Sequence, residues 1–440
     1  MFERLADAAS VAAAAQRLQA AAVPRGGIVA WLALNRLEML ALLVACEQRG
    51  AVLLPLNWRL ATPELVQTVE HAQACTLLND EALAPAADAL RQAARWHAGP
   101  AEGVIDGDLL LVYTSGTTGE PKGALHTAAG MAANATAAID AQGLDGSTRT
   151  LSVLPLFHVG GLCIQTLPTR LAGGELLLQP RFEPAVWFDA VEQWRPSTSL
   201  LVPAVMRALT EHPRWAGADL SSLRFVAAGS QIVPLHLIDA FHARGVPVAQ
   251  VYGSTETGPV SLVVRPEEAL AHPTMSGRPA LGVQARLGAD GEILLRAPNL
   301  MRGYHRSPTP AFDADGFFAT GDLAIEHPGG WLQVVGRSKE LIISGGENIH
   351  SAEIEQIVES LPGVAECAVV GVADARWGEI PVLVVVPRAG ADFDPAALQP
   401  LLDQRLARFK HPRRTVLAES LPRTALGKVR KTELAQQLTR

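Results

Sequence analysis

The sequence predicts an α/β fold with layers of helices and parallel strands. The first observation is an alternation near the start of the chain, because residues 10–22 and 36–49 have helical patterns whereas 27–34 and 51–56 have the pattern of buried strands. The second is size and composition, since 440 residues with 48% hydrophobic and 18% charged content are typical of a globular protein with two or more domains. The chain is therefore long enough to bury a substantial core.

Composition also excludes several classes of partner. The net charge of −7 gives no general attraction to nucleic acids or anionic membranes. The apolar segment Met39 to Cys46 is too short to span a bilayer, and charged residues interrupt the first 22 residues, so no secretory signal is predicted. The four scattered cysteines have neither metal-ligand nor disulfide spacing. We therefore expect a cytoplasmic protein without a nucleic-acid or membrane partner.

The stretch from Tyr113 to Gly123 has the composition of a phosphate-binding loop. It follows the apolar run Leu109 to Val112, a predicted strand, and precedes the Ala-rich run Ala124 to Ala138, a predicted helix. Glycines let backbone N–H groups approach a ligand, hydroxyls add donors, and a helix N-terminus favours an anion. Lys122 supplies a compact positive charge. The loop is not a Walker A motif, because Gly-Lys-Ser/Thr does not follow at the required spacing.

Two further strands are predicted to end in turns rich in Gly, Ser and Thr. These are residues 223–230 and 248–258, and residues 315–322 are expected to end another strand in a turn. In open α/β sheets, ligands bind where strands end at their carboxyl edge. We therefore expect the phosphate loop and the first two of these turns to border one crevice.

These motifs resemble those of a known family. Thr-Ser-Gly-Thr-Thr-Gly-x-Pro-Lys-Gly at 114–123 looks like the signature of the adenylate-forming enzymes: acyl- and aryl-CoA synthetases, peptide-synthetase adenylation domains and firefly luciferase. In the family's order follow Pro-Leu-Phe-His at 155–158, Tyr-Gly-x-Thr-Glu at 252–256, Thr-Gly-Asp at 320–322, the segment 335–349 and Pro-x-Thr-x-x-Gly-Lys at 422–428. The resemblance covers nearly the whole chain from about Gly26. It implies activation of a carboxylate with ATP, Mg²⁺ and CoA.

The resemblance also implies roles for individual residues. The catalytic residues would be Lys428, Glu256, Thr117 and His158, with Glu256 holding Mg²⁺. Gly229 and Ser230 would border the adenine, Tyr252 would stack on it, Thr255 would contact the α-phosphate, Asp322 would accept the ribose hydroxyls and Arg337 would contact ribose or phosphate. The full set expected at ATP or AMP is Thr114, Ser115, Gly116, Thr117, Thr118, Gly119, Lys122, Gly229, Ser230, Tyr252, Gly253, Thr255, Asp322 and Arg337.

The acyl pocket is expected to be apolar. By resemblance its residues are His158, Gly160, Gly161, Gln231 and Gly258. The wall segments 158–163, 230–231 and 254–260 contain neither Arg nor Lys, which favours a neutral-bodied aliphatic or aryl acid. His158 stands where amino-acid-adenylating domains carry an Asp, which counts against an amino acid. Residues 344–349 are also similar to o-succinylbenzoate–CoA ligases, so that substrate remains an alternative.

Two domains are predicted, residues 1–338 and a small mobile α+β domain from Lys339 to the end. Lys339 would be the hinge, and Gly345 and Gly346 would let the pantetheine of CoA pass the backbone. A helix at 352–361 that is capped near Ser351, strands at 364–372 and 380–386 and a helix at 395–408 are expected in the small domain. The Lys/Arg-rich segment 421–431 has the composition of a solvated or phosphate-attracting surface, with Lys428 as the specific catalytic candidate.

The predicted activity is that of an AMP-forming carboxylate–CoA ligase, with a carboxylic acid and CoA as partners. Three alternatives stay open: an enzyme that loads a separate carrier protein, a luciferase-like oxidase, and a nucleotide-binding regulator without catalysis. A homodimer is neither indicated nor excluded by the sequence. No nucleophilic cysteine is required for the predicted chemistry.

Overall fold

The computed structural model describes residues 2, 4–114, 122–345, 347–390, 393–394, 396, 398–423 and 428–439. Of the predicted site residues, Ser115, Gly116, Thr117, Thr118, Gly119 and Gly346 lie outside this part of the chain. The chain folds into two compact units. The first comprises Met1–Gln231, Ala240–Ala285 and Leu295–Phe318, and the second comprises Ile232–Asp239, Arg286–Leu294 and Ala319–Arg440.

Helices and strands alternate along most of the chain. The strands are β1 (Ile28–Leu32), β2 (Val52–Pro55), β3 (Ala74–Asn79), β4 (Asp108–Thr114), β5 (Lys122–Thr127), β6 (Arg149–Ser152), β7 (Glu175–Leu178), β8 (Thr198–Leu201), β9 (Phe225–Gly229), β10 (Val248–Tyr252), β11 (Leu262–Val263), β12 (Arg278–Pro279), β13 (Gln284–Leu287), β14 (Glu292–Arg296), β15 (Gly303–Tyr304), β16 (Phe318–His327), β17 (Trp331–Arg337), β18 (Leu341–Ser344), β19 (Glu347–His350), β20 (Val364–Asp374), β21 (Gly378–Pro387) and β22 (Arg414–Leu417). The helices are α1 (Ala8–Ala20), α2 (Glu38–Arg49), α3 (Thr62–Ala72), α4 (Ala84–Ala93), α5 (Ala128–Gln142), α6 (Val159–Gly161), α7 (Leu167–Leu171), α8 (Pro184–Trp194), α9 (Pro203–Thr210), α10 (Leu235–His242), α11 (Ser351–Val358), α12 (Leu398–Arg405) and α13 (Lys431–Thr439).

A six-stranded sheet in the order β15-β5-β4-β2-β1-β3 forms one layer of the first unit. Strands β3, β1, β2 and β4 run parallel, as the alternation of helices and strands predicts. Side chains of β1 point alternately to two cores: Ile28, Ala30 and Leu32 pack with α3 and α4, whereas Val29 and Trp31 pack with α1 and α2. Burial on both faces explains why this strand is a continuous apolar run.

A seven-stranded sheet in the order β12-β11-β10-β9-β8-β6-β7 forms a second layer of the first unit. Strands β7, β6, β8, β9 and β10 are parallel, so the turns that follow β9 and β10 lie side by side at one edge. Strand β4, which precedes the phosphate loop, belongs to the other sheet. The phosphate loop and the two turns therefore follow strands of two different sheets. The sequence pattern suggested strand ends at the edge of a single sheet.

The prediction of a helix at 124–138 is wrong at its start. Lys122–Thr127 is strand β5, antiparallel to β4 with Thr114 opposite Lys122, and α5 begins only at Ala128. A strand, and not the N-terminus of a helix, therefore follows the loop. Ala-rich composition favours a helix locally, but β5 pairs with β4 on one side and β15 on the other, and this pairing overrides the propensity.

The second unit contains a sheet in the order β19-β18-β21-β20, with β22 parallel to β21. Alternate residues of β20 face different cores: Val369 packs with α11 and α12, and Val370 packs with α13. Helices therefore cover both faces of this sheet, which confirms the predicted α+β character of the C-terminal region. Most of a four-stranded sheet, β13-β14-β16-β17, also belongs to this unit.

Two local predictions in this unit are corrected. The turn around Gly316 precedes β16, and Asp322 lies inside that strand rather than in a turn after one. Ser351 is the first residue of α11 and not its cap, since His350 holds the N-cap position without a side-chain hydrogen bond. The predicted domain boundary at 338/339 remains a prediction about where the small domain turns.

Candidate active site

The turn after β10 carries two predicted site residues, Thr255 and Glu256. The backbone N–H of Ser254 donates to Thr257 Oγ1 at 2.8 Å, and the N–H of Thr257 donates to the Ser254 carbonyl at 3.2 Å. A Cβ on Gly253 would lie 2.0 Å from the Pro259 carbonyl oxygen, so only glycine permits this close approach. The turn therefore holds Glu256 in a defined position at the carboxyl end of β10.

Tyr304 connects Glu256 to the end of the phosphate loop. Its hydroxyl donates to Glu256 Oε1 at 3.0 Å, and the Met301 N–H donates to the Glu256 carbonyl at 2.8 Å. Tyr304 lies on β15, which pairs with β5, and the ammonium of Lys122 lies 5.6 Å from the centre of its ring. Residues from both sheets of the first unit thus meet at Glu256, although the turns belong to different sheets.

Among the described residues, Glu256 has no ion-pair partner for its negative charge. His126 lies close by, but burial lowers the pKa of this imidazole to about 4 despite the opposing influences of the Glu256 charge and a hydrogen bond to the Thr255 backbone. At neutral pH the ring is therefore uncharged. Within the part of the chain that the structure describes, no Lys or Arg forms an ion pair with Glu256, and no group of three or more His, Cys, Asp or Glu side chains could hold a metal ion.

These contacts fit the binding of a magnesium ion through one protein carboxylate. Tyr304 occupies Oε1 and the described contacts leave Oε2 available. Mg²⁺ prefers oxygen ligands and is commonly bound by one or two carboxylates together with substrate phosphates. The donor set at Glu256 matches this pattern, because it offers a single carboxylate that forms no ion pair with any described Lys or Arg.

The residues predicted to contact the adenine lie at the ends of β9 and the adjacent strand β10. Strand β9 ends at Gly229, where a Cβ would lie 2.2 Å from the Val251 carbonyl oxygen of β10. Ser230 follows with φ of 73°, a left-handed conformation that is uncommon for a residue with a side chain and is enriched at functional sites. Tyr252 ends β10 and is half-buried. The structure thus brings Gly229, Ser230 and Tyr252 to adjacent strand ends.

Asn134 joins two of the predicted acyl-pocket walls. This side chain is 1% exposed; its Nδ2 donates to the Cys163 carbonyl at 2.8 Å and its Oδ1 accepts from the Val260 N–H at 3.0 Å. Segments 158–163 and 254–260 are therefore held together from the side of α5. A π-helical turn at Leu162–Thr166 lies within this wall, and such turns are frequent at functional sites. Sequence reasoning did not identify Asn134.

The pocket glycines differ in what surrounds them. A Cβ on Gly160 would meet nothing within 4 Å, which agrees with space for an acyl group. A Cβ on Gly161 would lie 2.2 Å from the Pro155 carbonyl oxygen, and one on Gly258 would lie 2.1 Å from the Asn299 carbonyl oxygen. These two glycines are therefore explained by backbone packing rather than by space left for an acyl group.

The remaining wall residues lie at different depths. His158 holds the N-cap position of α6, and its ring lies 4.9 Å from that of Phe157. Gln231, like Ser230, is exposed. Cys163 is buried, and burial raises its pKa to about 12, so its thiol stays protonated at neutral pH. This agrees with the expectation that no nucleophilic cysteine is used.

The other group of predicted site residues lies in the second unit. Asp322 on β16 is 7% exposed and pairs with Arg337 on β17, with Arg337 Nε 2.9 Å from Asp322 Oδ1. Lys339 lies in the 3₁₀ turn Ser338–Glu340 and is exposed. Lys428 is also exposed and precedes α13 by three residues.

Gly345 lies against an aromatic ring in the same unit. Its N–H donates to the Trp377 carbonyl at 2.8 Å, and a Cβ added to it would lie 2.6 Å from the Trp377 ring. With φ of 62°, this position also favours glycine conformationally. The packing alone accounts for a glycine here, and passage of pantetheine remains a prediction.

Comparison with known proteins identifies the family. A profile of AMP-binding enzymes matches residues 7–305, and a profile of the AMP-binding enzyme C-terminal domain matches residues 353–428. Because the first match alone spans more than half of the 440 residues, the chain belongs to the AMP-binding enzyme family.

Curated relatives cover nearly the full length. Indoleacetate–CoA ligase of Aromatoleum aromaticum is 43% identical over 478 aligned positions, which cover 100% of this chain and 92% of the relative. Feruloyl-CoA synthase of an Amycolatopsis species is 38% identical over 451 positions, covering 97% of this chain and 92% of the relative.

Solved structures have the same fold. ATP-bound MatB from Rhodopseudomonas palustris superposes with a TM-score of 0.87 at 29% identity, covering 98% of this chain and 92% of that one. O-succinylbenzoate coenzyme A synthetase (MenE) from Bacillus subtilis, in complex with ATP and magnesium, gives 0.85 at 28% identity, covering 97% and 93%.

These findings confirm the predicted adenylate-forming family and the α/β fold with a large N-terminal and a smaller C-terminal domain. They also confirm the predicted activity, an ATP-dependent acid–thiol ligase that works through an acyl-AMP. The roles of individual residues stay predictions. Among the described residues, no helix has both the length and the apolar character needed to cross a membrane.

Proposed function

We propose that the enzyme converts a neutral-bodied aryl acid into its CoA thioester. The observation that carries this proposal is the wall formed by segments 158–163 and 254–260, which Asn134 holds together and which contains neither Arg nor Lys. Its buried members are Val159, Gly161, Leu162, Cys163, Thr257, Gly258, Pro259 and Val260. Such a wall suits an uncharged ring better than a second ionised group.

Relatives support an aromatic acid in particular. The names of the two curated relatives described above refer to indoleacetate and to a feruloyl product, and both acids carry an aromatic body with a single carboxylate. Transfer of these substrates to the present chain is part of the proposal. An aromatic side group buries a large apolar area, which is where a pocket of this composition gains affinity.

A dicarboxylic acid such as 2-succinylbenzoate fits this wall less well. A second carboxylate buried without a cation would lose its hydration without an ion pair in return, at a cost of several kcal/mol. Because each 1.4 kcal/mol is a factor of ten, this corresponds to discrimination of roughly 10²-fold or more. The alternative of an o-succinylbenzoate–CoA ligase therefore requires a cation from outside these segments.

The reaction would proceed in two steps. The substrate carboxylate attacks the α-phosphorus of ATP to give acyl-AMP and pyrophosphate, and the CoA thiol then attacks the acyl carbon and releases AMP. Lys428 and the hydroxyls of Thr114 and Thr117 would stabilise the charge that develops on the α-phosphate. Glu256 would hold Mg²⁺, which supplies compensating positive charge on the phosphates when bound.

The residues proposed to contact the nucleotide take different parts of it. Gly229, Ser230 and Tyr252 would contact the adenine, and Asp322 and Arg337 the ribose. We further propose that the region from Lys339 onward turns between the two steps and presents Lys428 first, then Gly345 and Gly346. We propose a cytoplasmic enzyme, and a net charge of −7 supports the absence of general nucleic-acid or anionic-membrane binding.

A pyrophosphate-release screen tests the substrate class. The purified enzyme with Mg-ATP is offered indole-3-acetate, phenylacetate, ferulate, hexanoate, malonate and 2-succinylbenzoate, with and without CoA. We expect the highest kcat/KM for an aryl monocarboxylate, and values at least about 10²-fold lower for the two dicarboxylates. A preference for either dicarboxylate would contradict the proposal.

The thiol acceptor is tested in the same samples by chromatography. With the best acid, free acyl-CoA should form at the rate of pyrophosphate release. Acyl-AMP that accumulates while CoA remains unused would indicate that a carrier protein is the acceptor. Release of ADP and phosphate in place of AMP and pyrophosphate would overturn the adenylation mechanism itself.

A further inference from the structure

Lys431 is a second lysine of the terminal segment, and its side chain is buried. It opens α13, three residues after Lys428, and only 19% of the side chain is exposed. The composition of the whole segment 421–431 predicts a solvated or phosphate-attracting surface. Burial of a lysine requires acceptors for its ammonium group, because an unpaired buried charge is strongly unfavourable.

Three side chains accept hydrogen bonds from this ammonium. Lys431 Nζ lies 2.8 Å from Glu355 Oε1, 3.1 Å from Glu340 Oε2 and 2.8 Å from Ser351 Oγ. A lysine ammonium has three donors, so the contacts satisfy all of them. Burial lowers the pKa of Lys431, but the charges of Glu355 and Glu340 outweigh that effect and leave the pKa raised, so the group is charged at neutral pH.

These partners connect the two ends of the C-terminal region. Glu340 directly follows Lys339, the predicted hinge, in the same 3₁₀ turn. Ser351 and Glu355 lie on α11. One buried ammonium therefore joins the turn that contains the hinge, the first helix of the region and the segment that carries Lys428.

We infer that Lys431 is a positioning residue that fixes the Lys428 segment to Glu340, so that the rigid part of the small domain begins immediately after Lys339. The inference rests on the roles proposed for Lys428 and Lys339. A buried ion pair is weak support for stability, since apolar replacements of similar volume are often equally stable. The effect to be measured is therefore the position of Lys428, through the rate of acyl-AMP formation, and not stability alone.

The central variant is Lys431→Met, which keeps the length of the side chain and removes its charge. We expect the kcat of acyl-AMP formation to fall about 10- to 100-fold while the KM for ATP changes less than about threefold, since misplacement of a catalytic group by 1 Å can cost 10²-fold. In a Lys428→Ala background the same change should slow the residual reaction by less than about threefold, because Lys431 acts through Lys428.

A loss of stability is separated from a loss of position by a second variant. Lys431→Met leaves Glu340 and Glu355 without their partner, so the combined variant Lys431→Met/Glu340→Gln/Glu355→Gln removes all three charges. It should recover most of the thermal stability but not the adenylation rate. Recovery of both would overturn the inference and reduce Lys431 to a structural role.

A matched control is available in the same unit. Lys410 is 24% exposed at its side chain and pairs with Glu353 on α11 at 2.7 Å, but it has no described contact with the Lys428 segment. Lys410→Met should lower thermal stability to a similar extent and leave the adenylation kcat within about twofold of wild type.

One result would contradict the inference about Lys431, and a different result would contradict the proposed function of Lys428 on which it rests. If Lys431→Met slows the Lys428→Ala enzyme as much as it slows wild type, Lys431 does not act through Lys428. If Lys428→Ala itself leaves adenylation unchanged, the proposed function of Lys428 fails whatever Lys431 does.

Discussion

The two carboxylates predicted to bind nucleotide, Glu256 in the first unit and Asp322 in the second, are held in opposite ways. Glu256 accepts a hydrogen bond from a neutral hydroxyl, that of Tyr304 at 3.0 Å, and lies near the uncharged ring of His126. Asp322 lies 2.9 Å from the guanidinium of Arg337 on the neighbouring strand. One negative charge is thus left uncompensated by the described residues, and the other is neutralised.

This difference indicates which ligand each carboxylate suits. An uncompensated carboxylate attracts a divalent cation, and a neutral hydroxyl can orient it without competing for that role. A carboxylate paired with arginine attracts a cation weakly, yet it can still accept hydrogen bonds from ribose hydroxyls because an ionised carboxylate has about four acceptor sites. We therefore predict different functions for two acids with the same chemistry, because their neighbours differ.

Glu256→Gln should have the largest effect. It tests whether the Glu256 carboxylate holds Mg²⁺. The amide keeps the shape and the contact with Tyr304 but cannot hold Mg²⁺ well. We expect turnover at moderate Mg²⁺ to fall roughly 10²–10³-fold, since a bound metal contributes several kcal/mol to phosphoryl transfer. The measurement is pyrophosphate release across a Mg²⁺ titration, together with Mg²⁺-dependent ATP binding by calorimetry.

The control for this variant is Glu192→Gln. Glu192 pairs with Arg214 at 2.9 Å on the first unit, far along the chain from the predicted site residues. It should behave as wild type. An unchanged Mg²⁺ requirement in Glu256→Gln would return Glu256 to the role of a solvated charge.

Asp322→Ala should have the next largest effect. It tests whether Asp322 accepts hydrogen bonds from the ribose hydroxyls. Loss of hydrogen bonds to a charged acceptor is worth about 1.5–3 kcal/mol, so the KM for ATP should rise about ten- to a hundredfold. The Mg²⁺ requirement should stay unchanged, which separates this variant from Glu256→Gln. Parallel titrations of ATP and Mg²⁺ check both expectations, and a shifted Mg²⁺ requirement would remove the distinction between the two acids.

Local sequence patterns predicted much of this arrangement. The continuous apolar runs correctly predicted the buried strands β1 and β2, and residues 229–230 and 252–256 lie, as predicted, where β9 and β10 end. Both signals depend on neighbours in sequence, such as strand pattern and turn composition. The same kind of signal failed at β5, where Ala-rich composition favoured a helix but pairing with two strands decided the outcome.

The residues that sequence reasoning missed act over long separations. Tyr304 reaches Glu256 across 48 residues, and Lys431 reaches Glu340 and Glu355 from the end of the chain. Asn134 and His126 are polar residues whose burial no local pattern reveals. Charge composition even indicated the wrong environment for Lys431, because a Lys/Arg-rich segment is usually solvated. Such contacts require the three-dimensional fold.

The pH dependence of stability tests whether the surroundings of Glu256 are neutral. Burial lowers the pKa of His126 from 6.5 to about 4, so the unfolded chain binds a proton more readily between these values. The stabilising contribution is therefore complete above pH 6.5 and is lost as the pH falls towards 4. Linkage gives a loss of about 1–2 kcal/mol from this residue at pH 5.

Urea unfolding of wild type and His126→Asn at pH 7.5 and pH 5 measures this contribution. The variant keeps a side-chain donor but cannot titrate, so its stability should fall less between the two pH values than that of wild type. Equal losses in the two proteins would show that His126 is not held neutral. In that case Glu256 would have a cationic neighbour below about pH 6.5, and the contrast with Asp322 would hold only above that pH.

Tyr304→Phe should have the smallest effect and sharpens the account of how Glu256 is oriented. The phenyl ring keeps the contact with Lys122 and removes only the hydroxyl that donates to Oε1. A carboxylate that can rotate must be fixed again when the metal binds, so half-saturation with Mg²⁺ should shift upwards about three- to tenfold, which corresponds to about 0.7–1.4 kcal/mol. The kcat at saturating Mg²⁺ should change little. Thr210→Val provides the control, because the Thr210 hydroxyl donates to the Arg207 carbonyl at 3.1 Å and has no described contact with Glu256. If the two variants shift the Mg²⁺ requirement equally, or if Tyr304→Phe tightens it, the hydroxyl does not orient Glu256 and the uncompensated charge alone accounts for the cation site.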